Sequence, residues 1–344
     1  MNTINIGLIG TGRAGMIHGH NMVSKIQNGK LIAVCDPNAE AVQLANEQLG
    51  AEFAYTDYKK VLQNDTIDAV IVATPTEFHY EIAVAAAHAK KHIFCEKPLA
   101  MNEKECQEII DAVTKNNVKL QVGFMRRFDE GFQQAKAVVD QGTIGDVVLV
   151  KSLTHGPSQP KEWMYDISKS SGPIGEVNSH DFDTLRWFTG SEVESIYCIG
   201  GNFRSPEIKG QYPDYYDTVS MNLKFKDGKL GAIDGAQYVQ YGYDARIEVL
   251  GTNGTILIGD QTKHKVVVAN KEGVVFKSAM HSWTYLFKDA YIREDQAFID
   301  CIIHNTEPLV TGMDGLQSVR LVRLGLRSLL EGRVVNIEQE NTRQ

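Results

Sequence analysis

Cysteine is scarce and poorly spaced for a structural role. Cys35, Cys95, Cys106, Cys198 and Cys301 are odd in number, lie far apart and form no Cys-x-x-Cys pair. That pattern excludes a disulfide framework and a zinc site, and the residues read mostly as buried thiols in a reducing cytosol. No stretch approaches the ~18 uninterrupted apolar residues that a membrane span needs. The N-terminus runs straight into a strand-like segment without a charged head or a small-residue cleavage site, so no signal peptide is expected. A basic surplus is missing too: 35 Lys and Arg face 43 Asp and Glu, for a net charge of −8. Phosphate binding needs the opposite balance, which argues against a nucleic-acid partner. There are no internal repeats and no low-complexity tail. What is present is a 344-residue chain, 43% hydrophobic, long enough for about two domains at roughly 150 residues each. Its expected location is cytoplasmic.

The first ~120 residues alternate short apolar runs with helical patterns, the texture of βαβ units. Strands are expected at 4–9, 31–35, 69–73, 92–95 and 119–122, and helices at 16–26, 39–49, 77–89 and 103–115. Beyond Met125 the pattern changes. A helix at 130–141 leads to a strand at 147–153, a Gly/Ser/Pro-rich loop at 154–175 and a helix at 176–188. Strand-like segments then follow at 195–199, 218–225, 229–238, 246–250, 255–258 and 265–268, with turns at Asp227-Gly228, Asn253-Gly254 and Glu272-Gly273. A last helix at 315–330 covers the resulting sheet or the first domain. The expected fold class is α/β. Residues 1–123 form an N-terminal Rossmann domain with a doubly wound parallel sheet, and residues 124–344 a C-terminal α+β domain with an open, mainly antiparallel sheet.

The first strand enters Gly10-Thr11-Gly12-Arg13-Ala14-Gly15 and then a helix. In such a turn the first glycine permits the tight bend, the second lets backbone approach a pyrophosphate, and the third lets helix and strand pack closely. The anion rests on unpaired N–H groups at the positive helix end. Asp36 ends the second strand, where a carboxylate accepts from the adenosine ribose hydroxyls and repels a 2′-phosphate, so NAD is favoured over NADP. The plainer reading of Asp36 is a cap for the helix after Pro37. Arg13 reads as a pyrophosphate or solvent contact.

Glu96-Lys97-Pro98 follows a strand. Ligands of open α/β sheets gather at strand carboxyl ends, so Lys97 is positioned to donate to a substrate oxygen beside nicotinamide, or else it is a solvated turn. Glu176 and His180 are four residues apart on the expected helix and share one face, the spacing of a base and its orienting carboxylate. A surface pair is the bland alternative, and a metal role lacks further ligands, so none is expected. Arg126 or Arg127, at a strand end, offers fixed hydrogen bonds to hydroxyls or forms a surface ion pair. His155 and Trp163 fit a pocket cap, and Tyr241, on one strand face with Tyr243, could reach a polyol. His18 and His88 read as packing or solvent residues, and Asp183 as structural.

Taken in order, GTGRAG, ATPTEFHYEIAVAAAHAKKHIFCEKPLA, QVGFMRRF and GEVNSHDFDTLRWFTG resemble the glucose–fructose oxidoreductase, inositol dehydrogenase and rhizopine-catabolism (Gfo/Idh/MocA) oxidoreductase family over essentially the whole chain. QVGFMRRF with Asp129 and Gly131, and Tyr241-Gly242-Tyr243-Asp244, resemble its inositol-type members. The resemblance implies an NAD(P)-binding Rossmann domain and a sheet domain that lines the substrate pocket and often mediates tetramers. It implies that Lys97 contacts cofactor and substrate, and that Thr74, Pro75 and His79 lie in the segment passing the nicotinamide side. It favours Arg126 over Arg127. Inositol-type members carry Asp four residues before the catalytic His; here His180 matches but the acid is Glu176, one methylene longer. The expected function is NAD-dependent oxidation of a secondary hydroxyl of a cyclic polyol or sugar by a homo-oligomer, a tetramer or dimer. Alternatives are a glycoside dehydrogenase that recycles bound NAD and a non-catalytic NAD-binding protein.

Overall fold

The computed structural model describes residues 3–259, 268–269, 275–276 and 279–338. The chain divides into two compact units, Met1–Asp129 with Asp289–Val319, and Glu130–Lys288 with Arg320–Gln344. The first unit holds β1 (Ile4–Ile9), α1 (Arg13–Ser24), β2 (Gly29–Cys35), α2 (Ala39–Leu49), β3 (Phe53–Tyr55), α3 (Tyr58–Gln63), β4 (Ala69–Val72), α4 (His79–His88), β5 (His92–Glu96), α5 (Glu103–Asn116) and β6 (Leu120–Gly123). The six strands pair in the order β3-β2-β1-β4-β5-β6, and every pairing is parallel. This is the doubly wound order, with its switch point between β1 and β4.

Helices on both faces of such a sheet require strands that are apolar on both sides. β4 shows this: Val70 and Val72 belong to one buried cluster, while Ala69 and Ile71 belong to the other. All four are fully buried. The clusters therefore lie on opposite faces of one sheet.

The second unit holds α6 (Glu130–Asp140), β7 (Val147–Gly156), α7 (Ile167–Ser170), α8 (Gly172–Glu176), α9 (Ser179–Thr189), β8 (Val193–Gly201), β9 (Thr218–Phe225), β10 (Leu230–Gln237), β11 (Asp244–Gly251), β12 (Thr255–Ile258), β13 (Val268–Ala269), β14 (Val275–Phe276) and α10 (Trp283–Leu286). Helix α11 (Lys288–His304) then enters the first unit. Helix α12 (Gly312–Glu331) and β15 (Val335–Asn336) close the described chain. The strand order is β12-β11-β7-β10-β9-β8-β15. Within this sheet β10–β7 is parallel and the other pairings are antiparallel, the open mixed sheet expected.

Side chains alternate between the faces of this sheet. The register lines up Glu248, Lys151, Ala232, Asn222 and Tyr197 across five strands on the open face. Val150, Ser152, Met221, Leu223 and Ile233 are buried on the other.

Several sequence expectations shift. The 154–175 segment is not one loop: β7 runs to Gly156, and α7 and α8 follow. The expected helix 176–188 is two pieces, α8 ending at Glu176 and α9 starting at Ser179. Tyr241 and Tyr243 are not on a strand. Residues 238–243 form an irregular connector in which Gly242 has φ +112°. A side chain at Gly242 would meet the Met280 carbonyl at 2.4 Å. Tyr241 is 45% exposed and Tyr243 7%, so they do not share a face. The expected strand at 265–268 lies, apart from Val268, outside the described residues, as does the Glu272-Gly273 turn. Replacing Ile71 with Ala removes a fully buried side chain from the central strand. It is expected to destabilise the protein by about 2–5 kcal/mol, read as a lower denaturant midpoint.

Candidate active site

The glycine turn after β1 has the geometry an anion needs. Gly10 has φ +98°. A Cβ on Gly15 would lie 2.0 Å from the Gly10 carbonyl oxygen, so only glycine allows this packing. A Cβ on Gly12 would meet nothing within 4 Å, which leaves open space over the backbone. Gly12 is also the N-cap of α1, offers no capping side chain, and is followed by a first turn without acids. The first turn of the helix thus carries no anion of its own, and the donors present fit a pyrophosphate. Arg13 is exposed beside them and Ala14 half-buried.

Asp36 is held from two sides. Its Oδ2 accepts from the Thr11 backbone N–H and the Thr11 hydroxyl, each at 3.0 Å, and its Oδ1 accepts from Asn38 N–H at 3.0 Å. The cap of α2 is Asn38, whose side chain accepts from Glu40 and Ala41. The half-buried carboxylate of Asp36 is therefore pre-set at the strand end, where it fits an adenosine ribose.

The ends of β4 and β5 are tied together. Both ring nitrogens of buried His79 lie 2.8 Å from carbonyl oxygens, those of Pro98 and Thr74. Only an imidazolium could donate to both at once. Burial outweighs that pull and lowers the His79 pKa, so a neutral ring donates to one carbonyl at a time. Thr74 is half-buried and Pro75 exposed. Lys97, half-buried, directly follows β5. Its N–H donates to Glu96 Oε2 at 3.0 Å, and the Lys97–Pro98 peptide is cis.

Glu96 opens onto a polar cluster that sequence reasoning missed. Its Oε1 lies 3.1 Å from His18 Nε2, and His18 Nδ1 lies 2.6 Å from Asp295 Oδ1. Asn21 donates to Asp295 Oδ2 at 2.8 Å. His18 and Asp295 are fully buried. Burial works against the His18 charge, but Asp295 and Glu96 together raise its pKa well above the ordinary value.

Next to β6, Arg126 and Arg127 occupy a turn at Met125–Phe128 and are both buried. Arg127 forms an ion pair with Asp314 at 2.9 Å and donates to the Leu309 carbonyl. The ion pair is therefore part-buried, with Arg127 inside and Asp314 half-buried, rather than at the surface.

In the second unit, Glu176 ends α8 and His180 sits in the first turn of α9. The single-helix argument for the pair is corrected, because Asn178 stands between them. Its side-chain amide donates to Asp181 Oδ2 at 2.8 Å, the kind of local bond by which Asn competes with regular helix. A Cβ on Gly235 would lie 2.0 Å from Asn178 Oδ1, so β10 must carry glycine where Asn178 presses on it. The other oxygen of Asp181 accepts from Ser152 at 2.5 Å and Thr154 at 2.9 Å. These bonds pin the start of α9, and with it His180, to the covered face of the sheet. His180 is 7% exposed, Glu176 half-buried and Asp183 buried.

His155 alternates with Ser152 and Thr154 and so belongs to the open face. Its Nδ1 is hydrogen-bonded to the Tyr241 hydroxyl, and its Nε2 lies 3.5 Å from Asp234. Tyr241 also donates to Asp244, which pairs with Arg246. The structure thus brings His155 and Tyr241 together, but on the sheet face opposite His180. Trp163 is 48% exposed, in a separate turn at Glu162–Tyr165. A surface hollow of about 490 Å³, lined by Lys136, Asp140, Phe188 and Lys229 among others, contains none of the candidate residues. Among the described residues no group of three His, Cys, Asp or Glu side chains could hold a metal ion, and no helix is long and apolar enough to cross a membrane.

Fold and turn together define a protein with a dinucleotide-binding Rossmann unit joined to a mixed-sheet unit. Comparison with known proteins specifies it further. Residues 4–124 match the model of the oxidoreductase family with an NAD-binding Rossmann fold, and residues 132–257 match the Gfo/Idh/MocA C-terminal domain. The chain belongs to the Gfo/Idh/MocA oxidoreductase family. It is 35% identical to myo-inositol 2-dehydrogenase of Thermotoga maritima over 98% of this chain and 99% of that one. It is 32% identical to scyllo-inositol 2-dehydrogenase (NAD(+)) of Bacillus subtilis, over 97% and 96% respectively. The crystal structure of scyllo-inositol dehydrogenase from Lactobacillus casei with bound NAD(H) and scyllo-inositol is similar at a TM-score of 0.90 and 30% identity, covering 98% of this chain and all of that one.

The raised pKa of His18 has a definite sign for stability. Its contribution is complete below the unfolded value of about 6.5 and is withdrawn as pH rises through the higher folded value. Nitrogen-15 NMR at pH 7.5 is expected to show His18 as an imidazolium. His79 and His92, whose pKa values burial lowers, are expected to be neutral.

Proposed function

We propose that this protein is an NAD-dependent dehydrogenase that oxidises one secondary hydroxyl of an inositol-type cyclic polyol to a ketone. The observation that carries this reading is its full-length similarity to an enzyme crystallised with NAD(H) and scyllo-inositol. The division of labour follows the two units. The parallel-sheet unit takes the dinucleotide, with Gly10, Thr11, Gly12, Arg13, Ala14 and Gly15 at the pyrophosphate and Asp36 at the ribose. Thr74, Pro75 and the Glu96-Lys97 segment flank the nicotinamide, and His79 holds that segment from beneath. The mixed-sheet unit supplies the proton chemistry.

NAD, when bound, accepts a hydride from the carbinol carbon. His180 removes the hydroxyl proton as the general base, the role for which imidazole is the commonest side chain. Glu176 is the carboxylate assigned to orienting that ring. The Lys97 ammonium stabilises the oxygen as it becomes alkoxide-like. Arg126 donates to further hydroxyls of the ring, and Trp163 offers an exposed aromatic face for stacking. His155 and Tyr241 receive no such role within one chain, since they lie on the open face. That face exposes Tyr197, Ile199, Leu230 and Leu257, and it is the surface on which we expect a homo-oligomer, dimer or tetramer, to form. The proposed location is the cytoplasm.

The test is NADH absorbance with a panel of inositols, glucosides and amino sugars. Lys97→Ala is expected to lower kcat at least about 100-fold while leaving NAD affinity nearly unchanged; full activity in this variant would sink the assignment. Turnover of glucosides by protein that purifies with NADH bound would favour the recycling reading. NAD binding without turnover of any compound would favour a sensor. Asp36→Ser removes the charged acceptor and its repulsion. It is expected to weaken NAD binding by about tenfold and to make NADP usable, measured as KM for each cofactor.

A further inference from the structure

A buried polar cluster adjoins the Glu-Lys-Pro segment. Five groups from three elements form one chain of hydrogen bonds: Asn21 and His18 on α1, Asp295 on α11, and Glu96 and the Lys97 N–H at the end of β5. The His18 imidazole is shut in by the Phe94 ring, centroids 4.8 Å apart, and the Tyr291 ring at 5.5 Å. On the β6 side, a Cβ at Gly123 would lie 3.0 Å from Glu96 Oε2. Backbone therefore closes on the carboxylate where it accepts from Lys97.

Two carboxylates this deeply buried need a cation between them, because an unpaired buried charge is far costlier than a paired one. His18 faces both, and its two ring nitrogens can serve them only when both carry protons. The arrangement fixes the Glu96 side chain from one end, so its other oxygen is left in one place for the Lys97 N–H. His18 also lies three residues past Gly15, on the helix whose N-terminus fits the pyrophosphate.

We infer that His18 is a positioning residue for Lys97: through Glu96 it fixes the backbone from which the lysine projects, and so registers that ammonium to the nucleotide-binding helix. The inference rests on the role proposed above for Lys97. Its physical force is that misplacing a reacting group by about 1 Å can cost on the order of 100-fold in rate. A long side chain is aimed first by its root.

The experiment compares His18→Leu, Glu96→Gln, Asp295→Asn and the double variant His18→Leu/Glu96→Gln with the parent enzyme and with Lys97→Ala. Folding is checked by circular dichroism, NAD affinity by tryptophan fluorescence, and kcat and KM with the best polyol of the panel. In folded protein, His18→Leu and Glu96→Gln are each expected to lower kcat by about tenfold or more, with KM and NAD affinity within about threefold. The double variant should be no worse than the poorer single one, because both break the same chain. Asp295→Asn keeps an acceptor for His18 and should fall between these variants and the parent. Parent-like kcat in folded His18→Leu and Glu96→Gln, alongside an inactive Lys97→Ala, would overturn the inference. So would additive losses, or failure of all these variants to fold, since the cluster would then serve the core rather than the lysine. An active Lys97→Ala would instead overturn the underlying role of Lys97.

Discussion

A carboxylate taken out of water must find its hydrogen-bond donors inside the protein. The groups expected to carry chemistry in this molecule hang from carboxylates in that position. In the first unit Asp295 and Glu96 share His18, and Glu96 holds the Lys97 N–H. In the second unit Asp181 gathers Ser152, Thr154 and Asn178 and so fixes the first turn of α9, where His180 sits. Each network crosses elements far apart in sequence. The acids of each are buried, and the low local dielectric strengthens the bonds that are made. Satisfying these acids fixes the Lys97 N–H and the first turn of α9 in place.

The nucleotide side obeys the same logic at the surface. Asp36 is half-buried and already accepts three hydrogen bonds from Thr11 and Asn38. Its orientation is thus set by the protein before any ribose arrives. A ligand that meets an ordered carboxylate does not have to order it, which saves side-chain entropy on binding. The glycines of the turn act on backbone rather than charge. Gly10 takes a left-handed conformation, Gly15 allows contact with the Gly10 carbonyl, and Gly12 leaves its flank open.

The legible parts of the sequence were those with a short-range physical signature. Strand-length apolar runs separated by helical spacing gave the parallel sheet, and consecutive strand-like segments joined by Gly- and Asn-containing turns gave the open mixed sheet. The glycine spacing and Asp36 marked the nucleotide turn, and the motifs from GTGRAG to GEVNSHDFDTLRWFTG carried the family. Helix α11 was not legible, because buried Glu294 and Asp295 interrupt its apolar face. The break between Glu176 and His180 was not legible either: the residue that makes it, Asn178, is shaped by Gly235 more than fifty positions away. Strand register puts His155 on the face opposite His180, and Tyr241 is tied to that same face through its hydrogen bond to His155.

Local order along the chain therefore determined the element types, the nucleotide turn and the residues worth testing. Those depend on neighbours a few positions apart, whose spacing is written in the sequence. Tertiary structure alone decided which acid meets which donor, which sheet face a side chain belongs to, and that His18 stands between Glu96 and Asp295. Contacts between residues as distant as 18 and 295 have no periodic trace, because they exist only after the strands have been brought into register and the core has closed over them.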